Sequence, residues 1–223
     1  SANTIWGITS SRFEKNKLFI GTVNNLSIFN TDTEQFNTLL IPNPDNLMFG
    51  TGAGSVIEEI INDEKILWIN SFAGLIRYNQ SRHHFDRFVP SEEGNSGLLS
   101  SQINIIFKDQ SNVLWIATNN GLNFFSQKNI KFNNTFSFYD KLLAANQLSK
   151  FNIKAITKTK DGTIWFGTEN GFYFTSGTVG KKTIKKRPSL ASDNIWCLTP
   201  GRENELWIGT YGSGLYLLNY KTN

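Results

Sequence analysis

Leu206-Trp207-Ile208-Gly209-Thr210-Tyr211-Gly212-Ser213-Gly214-Leu215 is a short apolar run, a glycine-rich turn and the start of a second apolar run. The same phrase stands upstream as Ile164-Trp165-Phe166-Gly167-Thr168-Glu169-Asn170-Gly171-Phe172 and as Leu114-Trp115-Ile116-Ala117-Thr118-Asn119-Asn120-Gly121-Leu122. Two looser copies precede these, Leu67-Trp68-Ile69-Asn70-Ser71-Phe72-Ala73-Gly74-Leu75 and Leu18-Phe19-Ile20-Gly21-Thr22-Val23-Asn24-Asn25-Leu26. With the aromatic as marker, the copies stand at 19, 68, 115, 165 and 207, between 42 and 50 residues apart. Self-similarity at such a period marks a repeat architecture.

Each repeat extends beyond the phrase. Upstream lies a strand-length apolar stretch ending in polar turn residues, as in Gln102-Ile103-Asn104-Ile105-Ile106-Phe107, Ile57-Glu58-Glu59-Ile60-Ile61 and Asn152-Ile153-Lys154-Ala155-Ile156-Thr157. The two ends of the chain match best here, Asn3-Thr4-Ile5-Trp6-Gly7-Ile8-Thr9 against Asp193-Asn194-Ile195-Trp196-Cys197-Leu198-Thr199. Downstream come an aromatic run, a polar turn and a second aromatic, as from Phe29 to Phe36 and from Tyr78 to Phe85. Each repeat therefore supplies four short strands. A lone antiparallel sheet of that size leaves an apolar face wet, and radial stacking covers it.

The expectation is an all-β β-propeller of four-stranded antiparallel blades, with five repeats over residues 1–53, 54–99, 100–149, 150–191 and 192–223. The chain stops soon after Leu215-Tyr216-Leu217-Leu218, so the fifth blade is expected to lack its outer strand. The piece reads as part of a larger propeller. Only Tyr139 to Gln147 has a composition suited to a helical turn.

The 223 residues suffice for one large core, and six Trp with 18 Phe against one Met suit packing between sheets. Mean hydropathy is −0.30 and no run reaches the length of a membrane span. Ser1-Ala2-Asn3 leads directly into a strand, as in a domain taken from a longer chain. Cys197 is the one cysteine; it occupies the place of Gly7 and is read as a small buried strand residue. The net charge of +4 owes much to Lys181-Lys182-Thr183-Ile184-Lys185-Lys186-Arg187, read as a solvated edge strand guarded by lysines. No aromatic platform accompanies that run, so nucleic acid is not an expected partner.

The quoted phrases resemble the two-component regulator propeller repeat: a strand, an Asp-Gly turn, Leu-Trp-Ile-Gly-Thr, a short loop, Gly-Gly-Leu and an aromatic. The resemblance runs through the whole chain. Departures are Asn70 and Ala117 in place of Gly, Phe19 in place of Trp and Asn25 in place of Gly, and the Asp-Gly turn survives only at Asp161-Gly162. These substitutions are expected to weaken the ends of the ladder and to leave the four-strand count intact. The resemblance implies a non-enzymatic sensor module of a bacterial hybrid histidine kinase or a related receptor, periplasmic, with a membrane helix and a signalling domain in the parent protein. Two other readings stay open, a protein-interaction scaffold and a propeller lyase or glycosidase.

Within the Trp phrase the residues read as structural, because a catalytic group is needed once and these recur five times. His83-His84 fall in a turn without further His or Cys to complete a metal site. Phe49-Gly50-Thr51-Gly52-Ala53-Gly54-Ser55 lacks the Gly-Lys-Ser/Thr ending of a phosphate loop and precedes a strand. Glu58 and Glu59, adjacent on a strand, face opposite ways and cannot flank one bond. No catalytic residue, metal or cofactor is expected. The loops between second and third strands share one end of the blades with the starts of the first strands. There Phe72, Asn119, Asn120, Glu169, Asn170, Asn194 and Tyr211 offer amides, a carboxylate and aromatic rings, suited to an oligosaccharide or another polar small ligand. An open arc also exposes strand edges and an apolar sheet face, and a homodimer, symmetric in arrangement, is the expected remedy.

Overall fold

The computed structural model describes residues 4–42, 52–90, 97–109, 112–126, 129–134, 151–176, 183–188, 190 and 193–222. They hold nineteen strands and no helix. Sheet 1 is β1 (Ile5–Ser10), β2 (Lys17–Thr22), β3 (Asn25–Asn30) and β4 (Gln35–Leu40); sheet 2 is β5 (Val56–Ile61), β6 (Glu64–Ser71), β7 (Gly74–Asn79) and β8 (His84–Phe88). Sheet 3 is β9 (Ile103–Lys108), β10 (Val113–Thr118), β11 (Gly121–Ser126) and β12 (Asn129–Asn134), and sheet 4 is β13 (Ile153–Lys158), β14 (Ile164–Thr168), β15 (Gly171–Ser176) and β16 (Thr183–Lys186). Sheet 5 has three strands, β17 (Ile195–Pro200), β18 (Glu205–Thr210) and β19 (Leu215–Asn219). Strand order follows chain order, so each sheet is an antiparallel meander. The chain divides into two compact units, Ser1–Ile106 and Phe107–Asn223, the division falling inside β9.

The five marker aromatics sit on β2, β6, β10, β14 and β18, the second strand of every sheet. Registers repeat as well. Trp165 lies between Thr157 and Phe174, and Trp207 lies between Thr199 and Leu217. β6, β10 and β14 are flanked on both sides and buried on both faces, which is why Leu114-Trp115-Ile116 reads as a continuous apolar run rather than an alternation. On one face, here the marker face, stand the aromatic and the residue two positions on; on the other stand the aliphatic neighbours.

Within each unit, a marker face meets the opposite face of the sheet that follows it. In the N-terminal unit Phe19, Leu26, Ile28 and Leu39 of sheet 1 pack on Val56, Leu67, Ile69 and Tyr78 of sheet 2. In the C-terminal unit Trp115 approaches Phe166 with ring centroids 6.2 Å apart, and Trp165 with Phe172 packs on Ile195, Leu206 and Ile208 of sheet 5. Gly167 makes that last contact close: a Cβ there would lie 2.6 Å from Ile195 Cγ2.

The turns after the markers are closed by one device. Thr168 Oγ1 donates to Gly171 O (2.9 Å) and accepts from Asn170 N (3.1 Å), and Thr118 repeats the pair with Gly121 O (2.8 Å) and Asn120 N (3.1 Å). Gly171 sits at φ 117° and Gly121 at φ 110°, backbone that a side chain would strain. In the first repeat Thr22 Oγ1 keeps the contact to the carbonyl, Asn25 O (3.1 Å), and also reaches Asn25 Oδ1 (2.6 Å), so the hydroxyl still closes the turn without the glycine.

Three readings need correction. Asn70 does not weaken its sheet: its Nδ2 donates to Ile103 O (3.2 Å) and Asn104 O (3.1 Å) on β9, and its Oδ1 accepts from Ser55 Oγ (2.9 Å). The amide replaces the close approach that glycine allows with a buried hydrogen-bonded bridge. Cys197 is exposed, not buried, because it lies on the marker face of sheet 5, which no further sheet covers; its counterpart Ala155 is 3% exposed. Trp207, on that face, is 39% exposed where Trp165 is 2%.

Other features fall as the sequence reads. Glu58 accepts from Ser11 Oγ and Arg12 N (both 2.6 Å), while Glu59 accepts from the indole of Trp68 (2.9 Å), on opposite faces of β5. His83 sits in the turn at φ 52°, and His84 opens β8. Gly52 to Ser55 form a connector into β5; Phe49, Gly50 and Thr51 lie outside the described residues. So do Tyr139 to Gln147, Lys181 and Lys182. Lys185 and Lys186 are exposed on β16, the outer strand of sheet 4.

Candidate ligand-contacting loop face

The first strands of sheets 1, 4 and 5 share a register break one residue after their start, between Ile5 and Gly7, Ile153 and Ala155, and Ile195 and Cys197. A residue inserted into one strand only leaves the inward and outward alternation and is re-aimed. The inserted residues are Trp6, Lys154 and Trp196. Two of the six tryptophans are thus placed at a strand start rather than in the marker column.

In the C-terminal unit this builds a cluster. Trp196, 51% exposed, stacks against Tyr211, 72% exposed, with centroids 5.6 Å apart and planes at 29°. Lys154 Nζ stands 4.0 Å from the centroid of the Trp196 ring, within cation–π range. Backbone ties hold the frame: Tyr211 N donates to Asn194 O (2.8 Å), joining the turn after β18 to the start of β17. Ser213 Oγ donates to Asp193 Oδ1 (2.9 Å) across the same turn. Asn194 Oδ1 is buried and accepts no hydrogen bond, an acceptor left over within the cluster.

Of the seven residues singled out from the sequence, Asn194 and Tyr211 meet here. Glu169 and Asn170 occupy the equivalent turn of sheet 4, where Glu169 N donates to Asn152 O (3.4 Å) at the start of β13. Asn119 and Asn120 occupy that of sheet 3, with Asn120 N engaged by Thr118. Phe72 belongs to the N-terminal unit and packs edge-on to Trp6 with centroids 5.0 Å apart. Gly52 lies beneath that ring at φ 58°, where a Cβ would come 2.3 Å from Phe72 Cδ2. Sequence reasoning missed Trp6, Lys154 and Trp196. The signal was present: the two end repeats align Trp6 with Trp196, outside the column that packing explains. No group of three or more His, Cys, Asp or Glu side chains is gathered among the described residues.

Chemically the cluster offers two large apolar rings, one ammonium, a carboxylate and an amide, all at one end of adjacent sheets. Such a surface stacks on the apolar face of a ring and hydrogen-bonds its rim. It places no nucleophile beside a base.

The model of the two component regulator propeller family matches residues 97–120, 148–170 and 189–212. Each match spans the end of one repeat's connector, a first strand and the Trp phrase. The chain is similar to that family over these three segments. A curated histidine kinase of Formosa agariphila is 26% identical over 223 residues, covering 96% of this chain and 16% of the kinase. The chain thus spans a small part of the relative it matches. Among solved structures, the extracellular domain of a protein assigned as a hybrid two component system of B. thetaiotaomicron aligns with a TM-score of 0.67 at 19% identity, over 96% of this chain and 26% of that one. A virginiamycin B lyase of Staphylococcus aureus aligns with a TM-score of 0.60 at 19% identity, over 98% of this chain and 71% of the lyase. At such identity these two likenesses show the propeller fold alone, and one of the two aligned proteins is an enzyme.

Proposed function

We propose that this chain is a non-enzymatic sensor module, the extracytoplasmic propeller part of a membrane-anchored hybrid histidine kinase, which takes up a polar small ligand on its loop face and passes the bound state to the kinase. The regulator repeats and the histidine kinase relative support the sensor assignment. The ligand assignment is carried by one observation: Trp196 and Tyr211 stack in solvent beside a buried amide oxygen that accepts no bond. Exposed aromatic rings with adjacent polar groups suit an oligosaccharide, whose rings have an apolar face and a hydroxyl rim. A periplasmic position suits such a ligand, which would reach the module without crossing the inner membrane.

The test is calorimetric titration of the chain with a panel of neutral oligosaccharides. A member of the panel binds, and Trp196→Ala or Tyr211→Ala each weakens it at least tenfold, about 1.4 kcal/mol. Asn119→Ala lowers affinity less, and His83→Ala, at the far turn, leaves it unchanged. Binding that ignores both aromatic substitutions, or turnover of any panel member, contradicts the proposal.

A further inference from the structure

Of the three residues inserted at strand starts, Trp6, Lys154 and Trp196, Lys154 is the charged one. Core packing does not call for a cation there, because a bulge takes its residue out of the alternation that fills the space between sheets. Lys154 reaches from sheet 4 to sheet 5, both in the C-terminal unit, and its Nζ stands 4.0 Å from the centroid of the Trp196 ring. Among the described residues that ring is its partner, and the ammonium makes neither an ion pair nor a hydrogen bond. Two carboxylates share this end of the sheets, Glu169 and Asp193. Asp193 accepts from Ser213 Oγ at 2.9 Å, and neither carboxylate pairs with Lys154.

The charge of the chain is concentrated in the same unit. Ser1–Ile106 carries seven Lys and Arg against eleven Asp and Glu, whereas Phe107–Asn223 carries fifteen against seven. Residues 150–191, the repeat that holds Lys154, have nine against two. Such an excess raises the local concentration of anions and speeds their arrival. At the face itself the effect is sharper. A neutral ring seated on Trp196 and Tyr211 strips water from the Lys154 ammonium and returns only hydroxyl oxygens. An anionic group on that ring replaces the lost water with a charge-assisted bond, and a cationic sugar meets a like charge. The Lys154 to Trp196 and Trp196 to Tyr211 distances, 4.0 and 5.6 Å, keep the ammonium and the exposed Tyr211 ring within the span of a disaccharide. Asn194 Oδ1, buried and accepting no bond, is placed for a hydroxyl of the same chain.

We infer that the ligand of this face, given the ligand-contacting role proposed for it above, is an acidic oligosaccharide: its rings stack on Tyr211 and Trp196, and its carboxylate or sulfate pairs with Lys154. Lys154 is then the residue that sets specificity, and the two aromatics supply affinity common to charged and uncharged sugars.

Matched pairs of probes test this by calorimetric titration. One pair is oligogalacturonides and their methyl esters; the other is sulfated galactan oligosaccharides and the same chains after desulfation. At least one acidic probe binds about tenfold more tightly than its neutral partner, the worth of one hydrogen bond to a charged group, and which pair shows the preference tells carboxylate from sulfate. Lys154→Met keeps an apolar stem over the Trp196 ring and removes the charge. It abolishes the preference and leaves the neutral partner's affinity unchanged, and added salt weakens the acidic probe alone. Trp196→Ala weakens both members of the pair. Should Lys154→Met fail to fold, Lys154→Gln replaces it, and the salt dependence of the unsubstituted chain reads the same charge. Neutral probes that bind as tightly as acidic ones, or an acidic preference that survives Lys154→Met, overturn the acidic-ligand inference while the sensor reading stands. Binding of every probe that ignores Trp196→Ala, or no binding of any probe, acidic or neutral, overturns both.

Discussion

Replacing Trp165 by alanine probes the packing at the marker face of sheet 4. Its indole is 2% exposed, lies nearly parallel to Phe172 at 4.9 Å between centroids, touches Phe174 at 5.0 Å and Tyr220 at 6.3 Å, and donates its N–H to Thr159 Oγ1 at 3.0 Å. Truncating a buried large aromatic costs roughly 3–5 kcal/mol. The lost hydrogen bond contributes about 1 kcal/mol. Thr159 keeps Asp161 as a partner at 2.6 Å, so no buried group is orphaned and the total stays at about 4–6 kcal/mol. For a chain of this length each kcal/mol lowers Tm by roughly 2–4 °C, so the melt of the C-terminal unit falls by about 8–24 °C. Trp207→Ala is the internal comparison. The same residue in the same register is 39% exposed because nothing covers its sheet, and its loss is expected to be about half as large. His84→Ala, at an exposed strand start, shifts stability by no more than about 0.5 kcal/mol. Thermal denaturation followed by near-ultraviolet circular dichroism reads all three. If Trp165→Ala melts with Trp207→Ala or with His84→Ala, the burial argument is wrong.

Restoring the family's glycine in the second repeat is expected to harm it: Asn70→Gly removes two buried bonds to β9 and costs about 1–3 kcal/mol by urea denaturation, and equal or higher stability refutes the bridge. Gly171→Ala forces a side chain to φ 117° and costs about 1–3 kcal/mol in the same assay, whereas Gly162→Ala, in a more open turn at φ 86° with only Lys158 Cε at 4.0 Å, costs less. Acid stability should depend on Asp161. Burial opposes its ionisation, but the Thr159 hydroxyl and Thr163 amide outweigh that and hold the carboxyl below its ordinary value of 3.8. A depressed folded value stabilises above the unfolded one and is lost as pH falls through the folded one, so Asp161→Asn flattens the stability slope below pH 3.8 and not above it; an unchanged slope refutes the assignment.

The marker strands are legible in sequence because a doubly covered strand must be apolar throughout and its turn needs a hydroxyl and a left-handed residue, all of them local demands. Thr168 and Gly171 state them, and the register follows. What sequence conceals is whatever depends on another sheet. Cys197 has the neighbours of a buried residue, and its exposure comes from the lack of a sheet over it. Asn70 looks like a defect in a glycine column until β9 supplies the carbonyls that its amide bridges. Trp196 and Lys154 escape because a bulge takes them out of the period-two alternation on which faces are assigned, and nothing local marks which first strand will bulge. β5, without such a break, begins Val56-Ile57 and looks no different in kind.

Backbone nuclear Overhauser contacts across the second strands test the account most directly. The five-sheet reading requires Trp165 to contact Thr157 on one side and Phe174 on the other, Trp207 to contact Thr199 and Leu217, and Phe19 to contact Thr9 and Ile28. One register in all three repeats is the expected result. A one-residue slip in any of them would send its marker aromatic to the wrong face, and helical contacts through Trp165 would contradict the propeller outright.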